Sequence, residues 1–160
     1  MTEPTGAVSA VEQRLAELGI DLPDVAAPVA AYVPAVVTGN YVYTSGQLPF
    51  VSGVLPAAGK VGAEVPAADA AGYAATCAVN ALAAIKAQIG DLDRISRIVK
   101  VVGFVASDPS FTGQPAVING ASELLGKVFG EAGTHARSAV GVAVLPLDSP
   151  VEVEVIAEFA

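Results

Sequence analysis

Along the chain the hydrophobic positions switch between a helical period and strict alternation, and the switches mark out the elements. In "SAVEQRLAELG" Ser9 is followed three residues later by Glu12, and Val11, Leu15 and Leu18 share one face before Gly19, which predicts a short amphipathic helix over 9–18 with a capping box. A Pro-broken connector over 21–30 leads to "AYVPAVVTGNYVYTSGQLPF", two β-rich runs joined at Gly39 and Asn40 in a hairpin, with Pro34 marking an edge or a bulge. The Gly- and Pro-rich stretch 51–65 reads as a loop with room for one short strand. Residues 66–90 form the strongest helix, about 23 residues of good helix formers from Pro66 to a stop at Gly90, with apolar positions nearly all round. "ISRIVKVVGFVASD" is a strand, a second helix runs from about Pro115 to Phe129, and "SAVGVAVLP" and "VEVEVIAEF" are the last two strands.

The order helix, β, β, then α, β, α, β, β contains both adjacent strand pairs and a helical crossover. It implies an α+β fold, a mixed sheet with the two main helices on one face and the short N-terminal helix added. The 160 residues fit one domain, 1–160, which buries roughly 70% of the surface of its unfolded chain. No internal repeat interrupts it.

Composition adds an assembly to this picture. The chain is 53% hydrophobic and only 15% charged, against about a quarter charged in ordinary globular domains. Too few charges remain to cover a monomer, so area buried between copies is expected. The net charge of −8 and the scattered bases leave no stripe for nucleic acid. Cys77 has no cysteine partner and only His135 to join it, so neither a disulfide nor a metal site is expected, and a reducing setting is. The N-terminus lacks the basic start and apolar run of a signal peptide, and no segment reads as a membrane span. A soluble, cytoplasmic protein follows. A phosphate loop between Gly53 and Gly59 is excluded, since five residues separate the glycines and Val61 stands where a Ser or Thr is required.

Among the few polar residues inside strands, Arg137 shares the side of its strand that carries Ala139, Gly141 and Ala143, leaving room beside a guanidinium whose fork suits a carboxylate or phosphate. Glu152 and Glu154 alternate with Val151, Val153 and Val155, so a solvated strand face would look the same as a carboxylate poised to take a proton from water. If "PLDSP" closed a hairpin between the last two strands, Glu152 would pair near Val144 and lie about 23 Å from Arg137 at strand rise. One such hairpin cannot bring them together; a cleft between subunits can. Ser45 and Gly46 sit where a strand meets a turn, with a backbone N–H and a hydroxyl suited to an anion. Asn119 is a polar residue in an otherwise apolar helix, His135 in "GTHARS" reads as a loop histidine, and Cys77 as a core thiol.

Three stretches together, "AAYVPAVVTGNYVYTSGQLP", "AVINGASELLGKVFGEAG" and "ARSAVGVAVLPLDSPVEVEVIAEF", resemble the Rid (YjgF-like, endoribonuclease L-PSP-like) family over residues 28–159, and within it the longer branch often labelled endoribonucleases. The resemblance implies a chorismate-mutase-like fold and a homotrimer with clefts between subunits. In its better studied members, the reactive intermediate deaminases, an arginine grips the carboxylate of an enamine or imine, and Arg137 matches it. Glu152 matches the acid that activates water; Tyr32, Ser45, Gly46 and Asn119 match substrate-binding positions. Ala139 replaces a cysteine common in the deaminases, and "AAY" replaces "GPY". The function so implied is hydrolysis of small 2-imino or enamine acids to 2-keto acids and ammonia, without metal or cofactor. A non-catalytic trimer that binds small carboxylates is the alternative; an endoribonuclease fits the charge poorly.

Overall fold

The computed structural model describes residues 8–25 and 31–160, so part of the connector and the start of the family-like core lie outside it. Ser9 caps α1 (Ala10–Glu17), its hydroxyl accepting from the Glu12 N–H. Only this half of the predicted capping box forms. The Glu12 carboxylate turns instead to Lys86 on α2 (Ala67–Ile89), and Asp93 takes the free N–H groups of Ala10 and Val11. Val11 and Leu15 are buried, but Leu18 is exposed because the helix ends one residue before it. With Arg14 donating to the Val128 carbonyl, α1 sits on the outside of the helical layer.

β1 (Ala35–Thr38) and β2 (Tyr41–Thr44) form the expected hairpin around Gly39 and Asn40, with Pro34 just ahead of the edge strand. β3 (Ile95–Ala106), α3 (Gln114–Phe129) and β4 (Ala136–Val142) make a β–α–β unit with β3 and β4 parallel. β5 (Val151–Phe159) closes a five-stranded sheet in the order β1-β2-β5-β3-β4. The α+β class and the two main helices on one face hold.

The hairpin between the last two strands does not form. β5 passes β4 and inserts between β2 and β3, antiparallel to both. The reason lies in burial: Val151, Val153, Val155 and Ala157 are all within 1% of complete burial, which a central strand provides and an edge strand beside β4 does not. β4 itself stops at Val142, short of the predicted Pro146, and Val144 is exposed. The loop 51–65 contributes isolated pairings, Val61 with Ser107 and Val65 among them, and no strand.

α2 and α3 cover the face formed by Ile98, Val101, Val105 and the β5 valines. Their closest approach is at Gly120, where a Cβ would lie 1.8 Å from the Ala71 carbonyl oxygen. α2 is long and apolar enough to cross a membrane by length and composition, but Ala74, Cys77, Ala81, Leu82 and Ile85 are fully buried against the sheet and α3. The other sheet face has no covering layer among the described residues. Val36, Tyr43 and Val140 stand exposed on it, beside Glu152, Glu154 and the part-buried Phe104.

Candidate functional site

The predicted site residues fall into two groups at opposite margins of the sheet. The first is built on the end of β2. Residues 42 and 43 pair with 157 and 156, and Gln47 pairs with Val153, so the β2 side holds one extra residue and Ser45–Gly46 form a β-bulge. The Thr44 hydroxyl takes over the ladder bond, accepting from the Val155 N–H at 2.9 Å. Ser45 N–H goes to the Pro34 carbonyl and its hydroxyl to the Val33 carbonyl at 2.6 Å. Of the donors expected in this turn only the Gly46 N–H is left without a partner among the described residues. Tyr32, Ser45 and Gly46 line a cavity of about 760 Å³ that continues past Leu48 and Phe50 to Asn80 on α2. Both hydrogens of the Asn80 amide hold this wall, bonding the Leu48 and Phe50 carbonyls at 2.9 and 3.1 Å.

Glu152 lies against the bulge. A Cβ on Gly46 would fall 1.9 Å from Glu152 Oε1, so the carboxyl occupies the space that any other residue at 46 would fill. It does not line the cavity. Burial, and then the charge of Glu154, raise its pKa above the ordinary 4.5, toward the range where a carboxylate works as a base near neutrality. Cys77 is fully buried in α2 and its thiol is pushed well up, by burial first and the Glu152 charge second; it is a core thiol, as expected.

The second group gathers on α3 and β4. Arg137 Nη1 donates to Asn119 Oδ1 at 2.8 Å and to Ser122 Oγ at 3.2 Å. Both hydrogens of that nitrogen are thereby used, and Nε and Nη2 have no partner among the described residues. A guanidinium held by one corner with the adjoining edge open is prepared for a bidentate carboxylate. Ser122 in turn lies 2.9 Å from His135 Nε2, and His135 Nδ1 lies 2.6 Å from the Gly133 carbonyl. His135 lies in the loop just ahead of β4, as expected, and is also part of the arginine's surroundings, whereas Ser122 was not foreseen. Its signal was the spacing Asn119 to Ser122, three residues on one helix face.

Arg137 and Glu152 do not meet within the chain. Arg137 is opposite Val101 on β3, and Val101 opposite Val155, on the face covered by the helices. Glu152 is opposite Phe104, and Phe104 opposite Val140, on the open face. Two strands and three residues separate them, roughly 14 Å between Cα atoms. The 23 Å expected from a hairpin is replaced by a shorter path through β3, and the separation becomes one of faces.

A parallel β–α–β unit extended by antiparallel strands, with two helices on one side, is the chorismate-mutase-like α+β arrangement. The chain belongs to the YjgF/chorismate mutase-like family, whose model, described as "YjgF/chorismate_mutase-like, putative endoribonuclease", matches residues 12–159. Protein TCP17 of Trypanosoma cruzi is 46% identical over 151 residues, 92% of this chain and 93% of that one. The crystal structure of Atu1372 from Agrobacterium tumefaciens, a protein of unknown function, matches with a TM-score of 0.89 at 49% identity, covering 94% of each chain. TdcF of E. coli, solved with bound serine, matches with a TM-score of 0.58 at 29% identity, covering 86% of this chain and 93% of its own.

Proposed function

We propose that the chain is a deaminase of small 2-imino or enamine acids, releasing the 2-keto acid and ammonia in clefts shared by neighbouring subunits of a homotrimer. The observation that carries this reading is the Arg137 guanidinium, fixed through Nη1 by Asn119 and Ser122 with its Nε–Nη2 edge open. That edge takes the substrate carboxylate. Serine bound to a relative of the same fold is a ligand of the right kind, a small amino acid.

Water attacks the imine carbon as Glu152 takes its proton, and the Gly46 N–H and Tyr32 orient the substrate from the other subunit. A base is worth about 10²- to 10⁴-fold in rate, enough for an imine that already hydrolyses in water. The opposite faces of Arg137 and Glu152 favour a shared cleft over one within a chain, and the uncovered sheet face with Val36, Tyr43 and Val140 exposed favours association. The test generates 2-aminoacrylate with a dehydratase and follows keto-acid appearance. Acceleration by the wild type that Arg137→Ala abolishes is expected; no acceleration, or the same from Arg137→Ala, sinks the reading and leaves a carboxylate-binding trimer.

A further inference from the structure

We propose that Ser122 and His135 form a proton relay at the Arg137 half of the cleft, returning a proton to the nitrogen that leaves. The inference rests on the deaminase reading above and supplies what that reading lacks, since Glu152 removes a proton from water but no group has been named to give one to nitrogen.

The chain of hydrogen bonds has one direction. A carbonyl oxygen only accepts, so the 2.6 Å contact with the Gly133 carbonyl puts a hydrogen on His135 Nδ1. In the neutral ring Nε2 is then the acceptor, and the Ser122 hydroxyl donates to it across 2.9 Å. Ser122 Oγ keeps its lone pairs for the Arg137 Nη1–H at 3.2 Å. When Nε2 carries a proton the serine must turn: it accepts from the imidazolium and points its own hydrogen outward. That is the elementary hop of a relay, and imidazole is the side chain that both takes and gives a proton near neutrality. Both residues are half-buried, close enough to the surface to be reached and held firmly enough to be oriented. A base within reach of a hydroxyl, itself aligned by a third group, is the arrangement of an activated side chain. Ala139 offers no proton-carrying group in this half-site.

The steps balance as follows. Water adds to C2 of the iminium and one of its protons passes to Glu152, giving the neutral carbinolamine. The carbinolamine hydroxyl gives its proton to Ser122 Oγ as Ser122 passes its own to His135 Nε2, and the imidazolium so formed returns a proton through Ser122 to the amine nitrogen. The C–N bond then breaks with its electron pair on nitrogen, and the pair left on oxygen closes the carbonyl. Ammonia takes the proton from Glu152 and leaves as ammonium. One water is consumed and both side chains are restored.

The test compares wild type, Ser122→Ala, His135→Ala and His135→Gln, measuring pyruvate binding by calorimetry and turnover of 2-aminoacrylate. The relay predicts pyruvate affinity within about twofold of wild type in the two His135 variants and weaker in Ser122→Ala, which also frees one bond to Arg137, with turnover down by about 10²-fold in the His135 variants and recovery of His135→Ala on adding free imidazole. Unchanged turnover in an active background overturns the relay alone. Affinity and turnover falling together in the His135 variants, with no response to imidazole, also overturns it and leaves Ser122 as a residue that only positions Arg137. A wild type that binds pyruvate and turns nothing over overturns the relay and the deaminase reading at once. Should His135→Ala not fold, His135→Gln, which keeps a hydrogen-bonding side chain that carries no transferable proton, carries the same decision.

Discussion

At residue 46 the fold and the chemistry compete for the same space. A methyl group there would fall 1.9 Å from Glu152 Oε1, but that oxygen ends a flexible side chain, so Gly46→Ala moves the carboxyl rather than the backbone. Stability should change by less than about 1 kcal/mol, while kcat/KM falls about as far as in Glu152→Gln, on the order of 10²-fold. In the double variant the second change should add little, because both act on one carboxyl. Steady-state kinetics on the two singles and the double check this. The raised pKa of Glu152 has a second consequence. Between the ordinary 4.5 and the higher folded value the folded chain binds more protons than the unfolded one, so folding stability falls as pH rises through that window. Glu152→Gln should remove this dependence and be the more stable protein at neutral pH, by denaturant titration, although it is the less active one. Glu154→Gln removes the smaller cause of the shift, so the acid limb of the rate profile should move to lower pH without vanishing.

Between elements, the contact that admits least change is the crossing of α2 and α3. A Cβ on Gly120 would lie 1.8 Å from the Ala71 backbone oxygen, and a backbone oxygen inside a packed helix cannot turn aside. Gly120→Ala gains up to about 1 kcal/mol of helix propensity but forces the helices apart, at a cost of about 3 kcal/mol or slightly more. A net loss of about 2 kcal/mol, read as a Tm lower by roughly 4–8 °C, is expected from calorimetry. Helices and strands of this kind were legible in the sequence wherever the period was local, as in the 23 residues of α2 and the β1–β2 hairpin. The partner of β5 was not. A five-residue turn signal favours pairing β4 with β5, and nothing nearby in the chain records that β5 is buried more completely between β2 and β3. The same gap hid Ser122, which joins His135 and Arg137 only after the parallel β3–β4 pairing has laid β4 beside α3.

For the whole molecule the question is how two half-sites on opposite faces of one sheet become one cleft. Sequence distance had separated Arg137 from Glu152 along a hairpin; the fold separates them through the sheet, and either way a second copy of the chain is needed to bring them together. In the proposed trimer each cleft takes the Arg137 edge from one subunit and the Gly46–Glu152 bulge from its neighbour, a head-to-tail contact that closes after three copies. This arrangement makes a prediction that no site within one chain shares. Arg137→Ala and Glu152→Gln are each expected to retain about 1% of wild-type activity or less alone. Unfolded together in equal amounts and refolded, they assemble at random, and roughly a quarter of the clefts pair an intact arginine with an intact glutamate. Activity should therefore return to about that fraction of wild type in the mixture. If each chain held its own site, mixing would restore nothing, because every subunit carries one of the two lesions.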